Sequence, residues 1–199
     1  RFLSFWLKAK NIPHPETNVF YFQEEAEKYL RNVTYPIVAK VNIGAAGGGV
    51  RIIKTEEDAI IYLKRVFKGK GADQRIGPNF RSGKLFERAI HYFFSPEDIL
   101  EKVSVYKERR LNLQKNFVIL QSYVPHEFEW RVVRIGDSFF AHKKIKKGDK
   151  ASGSLLKEYG APPLKLLDFV RRITDENQFF SQAIDIFDTY NGYLVNEVQ

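Results

Sequence analysis

The stretch that decides the fold is PIVAKVNIGAAGGGVRII, residues 36–53. Apolar residues before and after its glycine-rich centre predict two strands, 35–41 and 50–53, that pair as a hairpin. The connecting loop, 44–49, contains only glycine and alanine, so a phosphate can closely approach its uncovered main-chain N–H groups. Lys40 lies in the first strand, where a buried lysine is costly unless an anion accompanies it. The hairpin therefore predicts a phosphate site.

The glycine loop differs from two familiar phosphate-binding motifs. No Gly-Lys-Ser/Thr follows it, and it leads into a strand instead of a helix, which excludes a P-loop and a Rossmann fingerprint. A glycine-rich hairpin tip is also an ordinary structural feature, and the loop alone does not separate these two interpretations. Lys40 is the residue that favours phosphate binding.

A second informative cluster ends the chain. Asp185 interrupts an apolar strand at 183–187, while Glu197 and Gln199 are two residues apart and share one face of the following strand. A three-residue loop at 190–192, with its glycine in the left-handed position, places Asp185 opposite Glu197. Facing carboxylates repel unless a cation lies between them, and an all-oxygen set suits Mg²⁺ or Mn²⁺. The alternative is an exposed strand face with ordinary acids.

The segment between these clusters is rich in cations. Glu129 and Arg131 share one face of a predicted strand, and a group of lysines follows: Lys143, Lys144, Lys146, Lys147 and Lys150. A triphosphate and a developing acyl phosphate both need such cations, because negative charge accumulates on phosphoryl oxygens during transfer. The alternative is a solvated basic loop.

Apolar periodicity and capping signals place the remaining elements. We expect helices at 2–10, 23–31, 56–66, 95–110 and 164–181, strands at 117–124, 128–135 and 139–145, and basic loops at 68–85 and 146–160. Thr55 is the expected N-cap of the third helix, and Ser95 with Pro96 begins the fourth. Gly136-Asp137 predicts a hairpin turn.

Size and composition limit the class of protein. The chain has 199 residues, 44% of them apolar, which is enough to bury a core, and its apolar stretches are far shorter than the roughly 20 residues of a membrane span. The lack of cysteine excludes disulfides and cysteine-based metal sites. A net charge of +8 favours anionic partners, but no helix-turn-helix, zinc-finger or RNA-recognition pattern is present. We expect a soluble, cytoplasmic protein.

Together these motifs resemble those of the ATP-grasp superfamily, and most closely those of RimK-like carboxylate–amine ligases. The matching pieces are an entry segment at 12–17, the lysine strand and glycine hairpin at 36–50, a hinge at 119–124, the triplet Glu129-Trp130-Arg131, and the set Asp185, Glu197 and Gln199. The resemblance covers nearly the whole chain apart from about 68–116. Each motif is weak alone, and their shared order favours the fold strongly.

The resemblance implies an α+β fold in which two lobes with mainly antiparallel sheets clamp a nucleotide. Residues 1–118 are expected to form the N-terminal lobe, with a basic helical insertion at about 68–116, and residues 119–199 the C-terminal lobe. The chain starts at Arg1 and stops at the metal hairpin. We therefore expect the domain that normally precedes this core, and some substrate-binding elements, to lie outside these residues.

The resemblance also implies roles for the candidate residues. The expected nucleotide contacts are Gln121, Ser122, Tyr123 and Val124 for adenine, and Lys40, Gly47, Gly48, Gly49 and Lys150 for the phosphates. Glu129 is expected to bind near the ribose, and Arg131 and Lys144 to stabilise the acyl phosphate as catalytic residues. The expected magnesium ligands are Asp185, Glu197 and Gln199.

Two positions depart from the pattern of the superfamily. Gln199 stands where asparagine is usual, which keeps an amide oxygen but carries it on a longer arm. The phosphate-binding arginine of the superfamily falls near Lys150-Ala151, so the identity of that contact is open by one position.

The resemblance implies an ATP- and Mg²⁺-dependent ligase that joins a carboxylate to an amine through an acyl phosphate and releases ADP and phosphate. The carboxylate could belong to a small molecule, a peptide or a glycan. The alternatives are a nucleotide-binding module without ligase activity and a basic nucleic-acid-binding domain, which the sequence disfavours. The sequence does not determine the oligomeric state.

Overall fold

The structure, a computed structural model, describes residues 2–42, 49–72, 97–147, 150–151 and 156–199; at Arg109, Arg110, Lys147, Lys150 and Ala151 it describes the backbone alone. The helices in these ranges are α1 (Phe2–Ala9), α2 (Gln23–Leu30), α3 (Glu56–Phe67), α4 (Glu97–Leu111) and α5 (Leu164–Glu176). The strands are β1 (Thr17–Phe20), β2 (Ile37–Lys40), β3 (Val50–Ile53), β4 (Val118–Ser122), β5 (Phe128–Ile135), β6 (Ser138–Lys147), β7 (Lys150–Ala151), β8 (Lys157–Glu158), β9 (Ser181–Thr189) and β10 (Gly192–Val198).

The first sheet is antiparallel, with the strand order β1-β4-β2-β3. β2 and β3 pair with Lys40 opposite Val50, which confirms the predicted hairpin. Its buried residues form one core with residues of α2 and α3, including Ile37, Leu63 and Leu120. These side chains are buried between the sheet and the helices because removing apolar surface from water is favourable.

The second sheet is also antiparallel and has the order β10-β9-β5-β6-β7, with β8 pairing with β6 as well. β5 and β6 are joined by the predicted two-residue turn, because Ile135 pairs with Ser138. Its core includes Leu7 of α1, Trp130 of β5 and Leu166 of α5. The fold class is therefore α+β with antiparallel sheets, as the sequence predicted.

Local signals explain where several elements begin. Thr55 is the predicted N-cap of α3, and its hydroxyl oxygen accepts a hydrogen bond of 3.2 Å from the amide of Asp58. The first turn that follows is acidic, which complements the positive end of the helix dipole. The predicted start of α4 at Ser95 and Pro96 lies outside the described residues.

Two predicted boundaries are wrong. The last helix ends at Glu176 and not at 181, because β9 already begins at Ser181 and its residues pair with β5. The predicted loop at 146–160 contains the end of β6 and the short strands β7 and β8, which both hydrogen-bond to β6. The polar composition of this segment concealed strands at the edge of the sheet, where few side chains are buried.

Each core contains residues that are distant from one another in the sequence. Residues Leu7 and Ile12 pack with the second sheet, whereas Val118 and Leu120 pack with the first. The division into lobes at 118/119 stays a prediction. In the part of the chain that the structure describes, no helix combines the length and apolar character that a membrane span requires.

Candidate nucleotide and metal site

The alternation of β5 separates a core face of the second sheet from a polar face. Trp130 and Val132 belong to the core beneath α1 and α5. Glu129 and Arg131 therefore project from the opposite face, as the period of two requires. Asp185 of β9 pairs with Arg131 of β5, so its side chain lies on the same face. We call it the site face.

Asp185 is the centre of an ion-pair network on the site face. Its side chain is 1% exposed and accepts two hydrogen bonds from Arg131, Nε to Oδ1 at 2.7 Å and Nη2 to Oδ2 at 2.8 Å. Lys144 Nζ donates to Oδ2 at 2.6 Å. Such a buried carboxylate is stabilised only because two cations replace its lost hydration.

Glu129 extends the network toward the hinge. Its Oε2 accepts from Lys144 Nζ at 3.0 Å, so Lys144 bridges the two carboxylates. Its Oε1 accepts from Asn196 Nδ2 at 3.3 Å and lies 3.7 Å from His126 Nε2. His126 is in turn fixed by a contact of 2.7 Å between Nδ1 and the carbonyl oxygen of Val124.

Lys40 reaches this network from the first sheet. Its Nζ donates to Asn196 Oδ1 at 2.7 Å, which links β2 of the first sheet to β10 of the second. Burial lowers the pKa of Lys40 to about 8, although Glu197, Glu129 and Asp185 act to raise it. Lys40 is thus a cation that the first sheet contributes to this network.

Lys144 shows the opposite shift. Burial acts to lower the pKa of Lys144, but the carboxylates of Asp185 and Glu129 outweigh burial, and the pKa is raised. The hydrogen bonds from Arg131 to Asp185 likewise raise the pKa of that guanidinium. Lys144 and Arg131 are therefore held in their charged forms.

A β-bulge brings Glu197 opposite Asp185. The turn of the last hairpin has two residues, because Thr189 pairs with Gly192, so the predicted three-residue loop is wrong. The register then shifts by one residue between Val195 and Glu197. The predicted pairing of Glu197 with Asp185 is confirmed, but the bulge and not the turn produces it.

The predicted adenine segment comprises the last two residues of β4, Gln121 and Ser122, and the two residues that follow the strand. Gln121 is buried, and its Nε2 donates to Thr17 Oγ1 at 2.9 Å. The amide of Ser122 donates to the carbonyl oxygen of Glu16 at 2.9 Å. Tyr123 accepts at its hydroxyl from Lys146 Nζ at 2.8 Å. The Gln121 and Ser122 contacts tie the hinge to the entry segment around Glu16 and Thr17.

The donor set at the hairpin fits a divalent cation. Glu197 and Gln199 are exposed beside the buried Asp185. Asp185 Oδ1 accepts one hydrogen bond and so keeps a lone pair for a metal. Among the described residues no three His, Cys, Asp or Glu side chains could together hold a metal. A set of two carboxylates and an amide suits Mg²⁺, which takes its other ligands from phosphates and water.

Comparison with known proteins supports the fold and does not test the site residues. No known family's sequence profile matches the chain. The phosphoribosylamine–glycine ligase of Clostridium acetobutylicum is 42% identical over 71 residues, which is 33% of this chain and 17% of that enzyme. A RimK domain ATP-grasp protein from Sphaerobacter thermophilus superposes with a TM-score of 0.58 at 17% identity, covering 99% of this chain and 56% of that one.

Two further solved structures superpose with similar scores. The ATP-grasp ligase PsnB, complexed with a minimal precursor, Mg and ADP, gives a TM-score of 0.57 at 14% identity over 100% of this chain and 48% of its own. The ADP complex of the N5-carboxyaminoimidazole ribonucleotide synthetase purK gives 0.55 at 16% identity over 97% and 42%. The chain has an ATP-grasp fold. It spans about half the length of these solved structures.

Within this ATP-grasp fold most predicted site residues lie together. Hydrogen bonds connect five of them: Glu129, Arg131, Lys144, Asp185 and Gln199. Gln199 joins through a bond of 3.3 Å from Arg131 Nη2 to its Oε1, and Lys40 joins through Asn196. Gly49 accepts a hydrogen bond from the amide of Val41, while Gly47 and Gly48 lie outside the described residues. Lys150 lies in β7. The roles of all these residues stay predictions.

Sequence reasoning missed two residues of the network on the site face, Asn196 and His126. Asn196 was overlooked because a strand with strict alternation directs it away from the face that carries Glu197. The irregular spacing of the apolar residues Tyr193, Val195 and Val198 was the available signal of a bulge. His126 gave no signal, since its position depends on the path of the chain after the hinge.

Proposed function

We propose that this chain is the nucleotide-binding core of an ATP- and Mg²⁺-dependent carboxylate–amine ligase. The observation that carries the proposal is the convergence of cations from both sheets on one hydrogen-bonded network of carboxylate and amide side chains. Lys40 comes from the first sheet, and Arg131 and Lys144 from the second. Cations contributed by both sheets can clamp the phosphates of a nucleotide that is held between them.

The nucleotide is proposed to lie along the junction of the two sheets. Its adenine lies at the hinge of Gln121, Ser122, Tyr123 and Val124, and its phosphates lie under the glycine hairpin with Gly47, Gly48 and Gly49. Glu129 is proposed to bind the ribose. Lys40 and Lys150 reach the phosphates, and the desolvated ammonium of Lys40 gains most from an anionic partner.

Asp185, Glu197 and Gln199 are proposed to hold Mg²⁺. At this position Mg²⁺ would supply positive charge that offsets the negative charge developing on phosphoryl oxygens during transfer. The donor chemistry of these residues supports the assignment, since all three offer oxygen atoms. Glu197 and Gln199 are exposed and therefore accessible to a ligand.

The proposed reaction has two steps. A carboxylate oxygen of the substrate attacks the γ-phosphorus of ATP, and the bond to ADP breaks, which gives an acyl phosphate. An amine nitrogen then attacks the acyl carbon, the bond to the phosphate oxygen breaks, and the nitrogen loses a proton. Arg131 and Lys144 are proposed to stabilise the acyl phosphate. The similarity to a phosphoribosylamine–glycine ligase supports C–N bond formation.

One observation favours a second candidate function, a nucleotide-binding module without ligase activity. Both oxygens of Asp185 are engaged by Arg131 and Lys144, so the two proposed catalytic cations neutralise the proposed metal ligand. A ligase must redistribute these contacts when its substrates bind. A binding module does not require this redistribution.

Release of ADP and phosphate separates the two candidates. The chain is incubated with Mg-ATP and a panel of amino acids, dipeptides and other carboxylates, with and without an amine acceptor. We expect one class of carboxylate to stimulate ADP release, and Asp185→Ala to abolish the stimulation. Asp188→Ala is the matched control, because it removes an exposed carboxylate three residues away on β9.

ATP binding without stimulation by any carboxylate would favour the module. A lack of ATP binding, measured by calorimetry, would contradict both candidates. The metal assignment has its own test in Glu197→Ala, which is expected to weaken binding of Mg-ATP. Unchanged Mg-ATP binding by this variant would remove the hairpin as the metal site.

A further inference from the structure

The bulge in β10 places two consecutive polar side chains at the site. Val195 pairs with Ile186 and Val198 with Ile184, and the side chains of both valines pack in the core of the second sheet. In a regular strand, residues three apart point to opposite faces. The extra residue at Asn196 resolves this conflict, so both Asn196 and Glu197 are available to the site face.

The Asn196 amide occupies the junction of the two sheets. Its Oδ1 accepts from Lys40 Nζ at 2.7 Å, and its Nδ2 donates to Glu129 Oε1 at 3.3 Å. A single side chain thus contacts the proposed phosphate-binding lysine and the proposed ribose-binding carboxylate. The chain separation is 156 residues for the first contact and 67 for the second, so both are tertiary contacts.

An amide is the group that this position requires. A primary amide carries an acceptor and donors together, and here it accepts from an ammonium and donates to a carboxylate. Aspartate could accept from Lys40 but would face Glu129 as a second anion. Leucine has a similar size and could make neither hydrogen bond.

We propose that Asn196 is a positioning residue that holds the Lys40 ammonium at the phosphate subsite and fixes it relative to Glu129. The proposal rests on the proposed function, because it takes Lys40 as a phosphate contact. Asn196 acts through Lys40 and does not itself contact the transferred group. Its effect therefore falls on ligands that carry phosphates.

The test compares ATP with adenosine, which lacks phosphates. Dissociation constants of both ligands are measured by calorimetry for the whole chain and for Asn196→Leu. We expect ATP binding to weaken about tenfold, the effect of losing one hydrogen bond to a charged group, and adenosine binding to weaken much less, since its one link to Asn196 is the longer bond to Glu129. Asn191→Leu, in the turn of the same hairpin, is the matched control, for which both constants are expected to be unchanged.

A double-mutant cycle with Lys40→Met makes the test specific. If Asn196 acts through Lys40, Asn196→Leu will have little further effect on ATP binding once Lys40 is replaced. Additive effects, or an equal loss of ATP and adenosine binding in Asn196→Leu, would overturn the proposal and indicate a general structural role. Failure of the unsubstituted chain to bind ATP would overturn the proposed function and this inference with it.

Asn196→Asp gives a second variant that keeps the size of the side chain. It retains an acceptor for Lys40 but repels Glu129, and we expect ATP binding to be weaker than in the unsubstituted chain. Thermal unfolding of every variant is measured alongside. A folded Asn196→Asp chain with unchanged ATP affinity would contradict the requirement for an amide.

Discussion

Lys40 and Lys144 are the same residue type in the same site, yet burial leads to opposite results. Lys144 contacts two carboxylates directly and its pKa is raised. Lys40 contacts the neutral amide of Asn196 and its pKa is lowered to about 8. The nearest partner, and not burial itself, decides whether a buried lysine is held in its charged form.

The difference has a functional meaning. The charge of Lys144 is already balanced within the second sheet by Asp185 and Glu129. The charge of Lys40 is balanced less well, because the described carboxylates act on it without an ion pair at hydrogen-bond distance. Under the proposed function, Lys40 therefore has more to gain from a phosphate than Lys144 does.

The largest expected effect is the loss of stability in Lys144→Met. Removing the ammonium leaves two buried carboxylates with one fewer cation, which costs about 3–5 kcal/mol for broken buried ion pairs. Lys40→Met is expected to cost little or to stabilise, because a lowered pKa means that the folded state disfavours the charged form. The free energies of unfolding are measured by urea denaturation at pH 7.

A loss of stability in Lys40→Met as large as that in Lys144→Met would contradict the contrast between the two lysines. It would mean that the amide of Asn196 compensates burial as fully as two carboxylates do. Asp185→Asn provides a check from the other side of the pair. It is expected to destabilise the chain as well, because Arg131 and Lys144 then lose their shared counter-ion.

The next effect is a pH dependence of ATP binding. ATP is expected to favour protonated Lys40, and this form is lost in the free protein as pH rises through about 8. The dissociation constant should be nearly constant from pH 7 to 7.5 and then increase, approaching about tenfold per pH unit above 8. Calorimetry between pH 7 and 9.5 measures this slope.

Lys40→Arg sharpens this prediction, since arginine stays protonated over the whole range. The slope should disappear in this variant even if ATP binds more weakly. A slope that persists in Lys40→Arg would assign the titration to another group. A flat profile in the unsubstituted chain would contradict the role of Lys40.

The smallest effect on stability is expected at Lys143. This residue precedes Lys144 in β6 and pairs with Trp130, so it lies on the core face of the sheet. Lys143 Nζ pairs with Glu158 Oε1 at 2.9 Å, but the side chains are 27% and 59% exposed. Lys143→Met should cost less than about 1 kcal/mol, because water and salt screen such pairs. The same urea experiment measures it, and a cost equal to that of Lys144→Met would show that exposure does not separate the two lysines.

Much of the secondary structure was predictable because it depends on local sequence patterns. The hairpin of β2 and β3 followed from apolar runs around the glycine loop, and the start of α3 followed from Thr55. Pairing of Asp185 with Glu197 was also predicted, although by a turn that the structure replaces with a bulge. The end of α5 was wrong, because pairing of Ser181 with β5 overrides helical periodicity.

The sequence alone determined which groups are candidates for the chemistry: a lysine in an apolar strand, an acid-x-Arg triplet, and two acids near the last turn. These are local facts, since burial preference and strand alternation are properties of a few neighbouring residues. Tertiary structure alone decided the partners. Arg131 and Lys144 hold Asp185, while Lys40 finds Asn196, because pairings across 41 to 156 residues depend on sheet order and on one extra residue in β10.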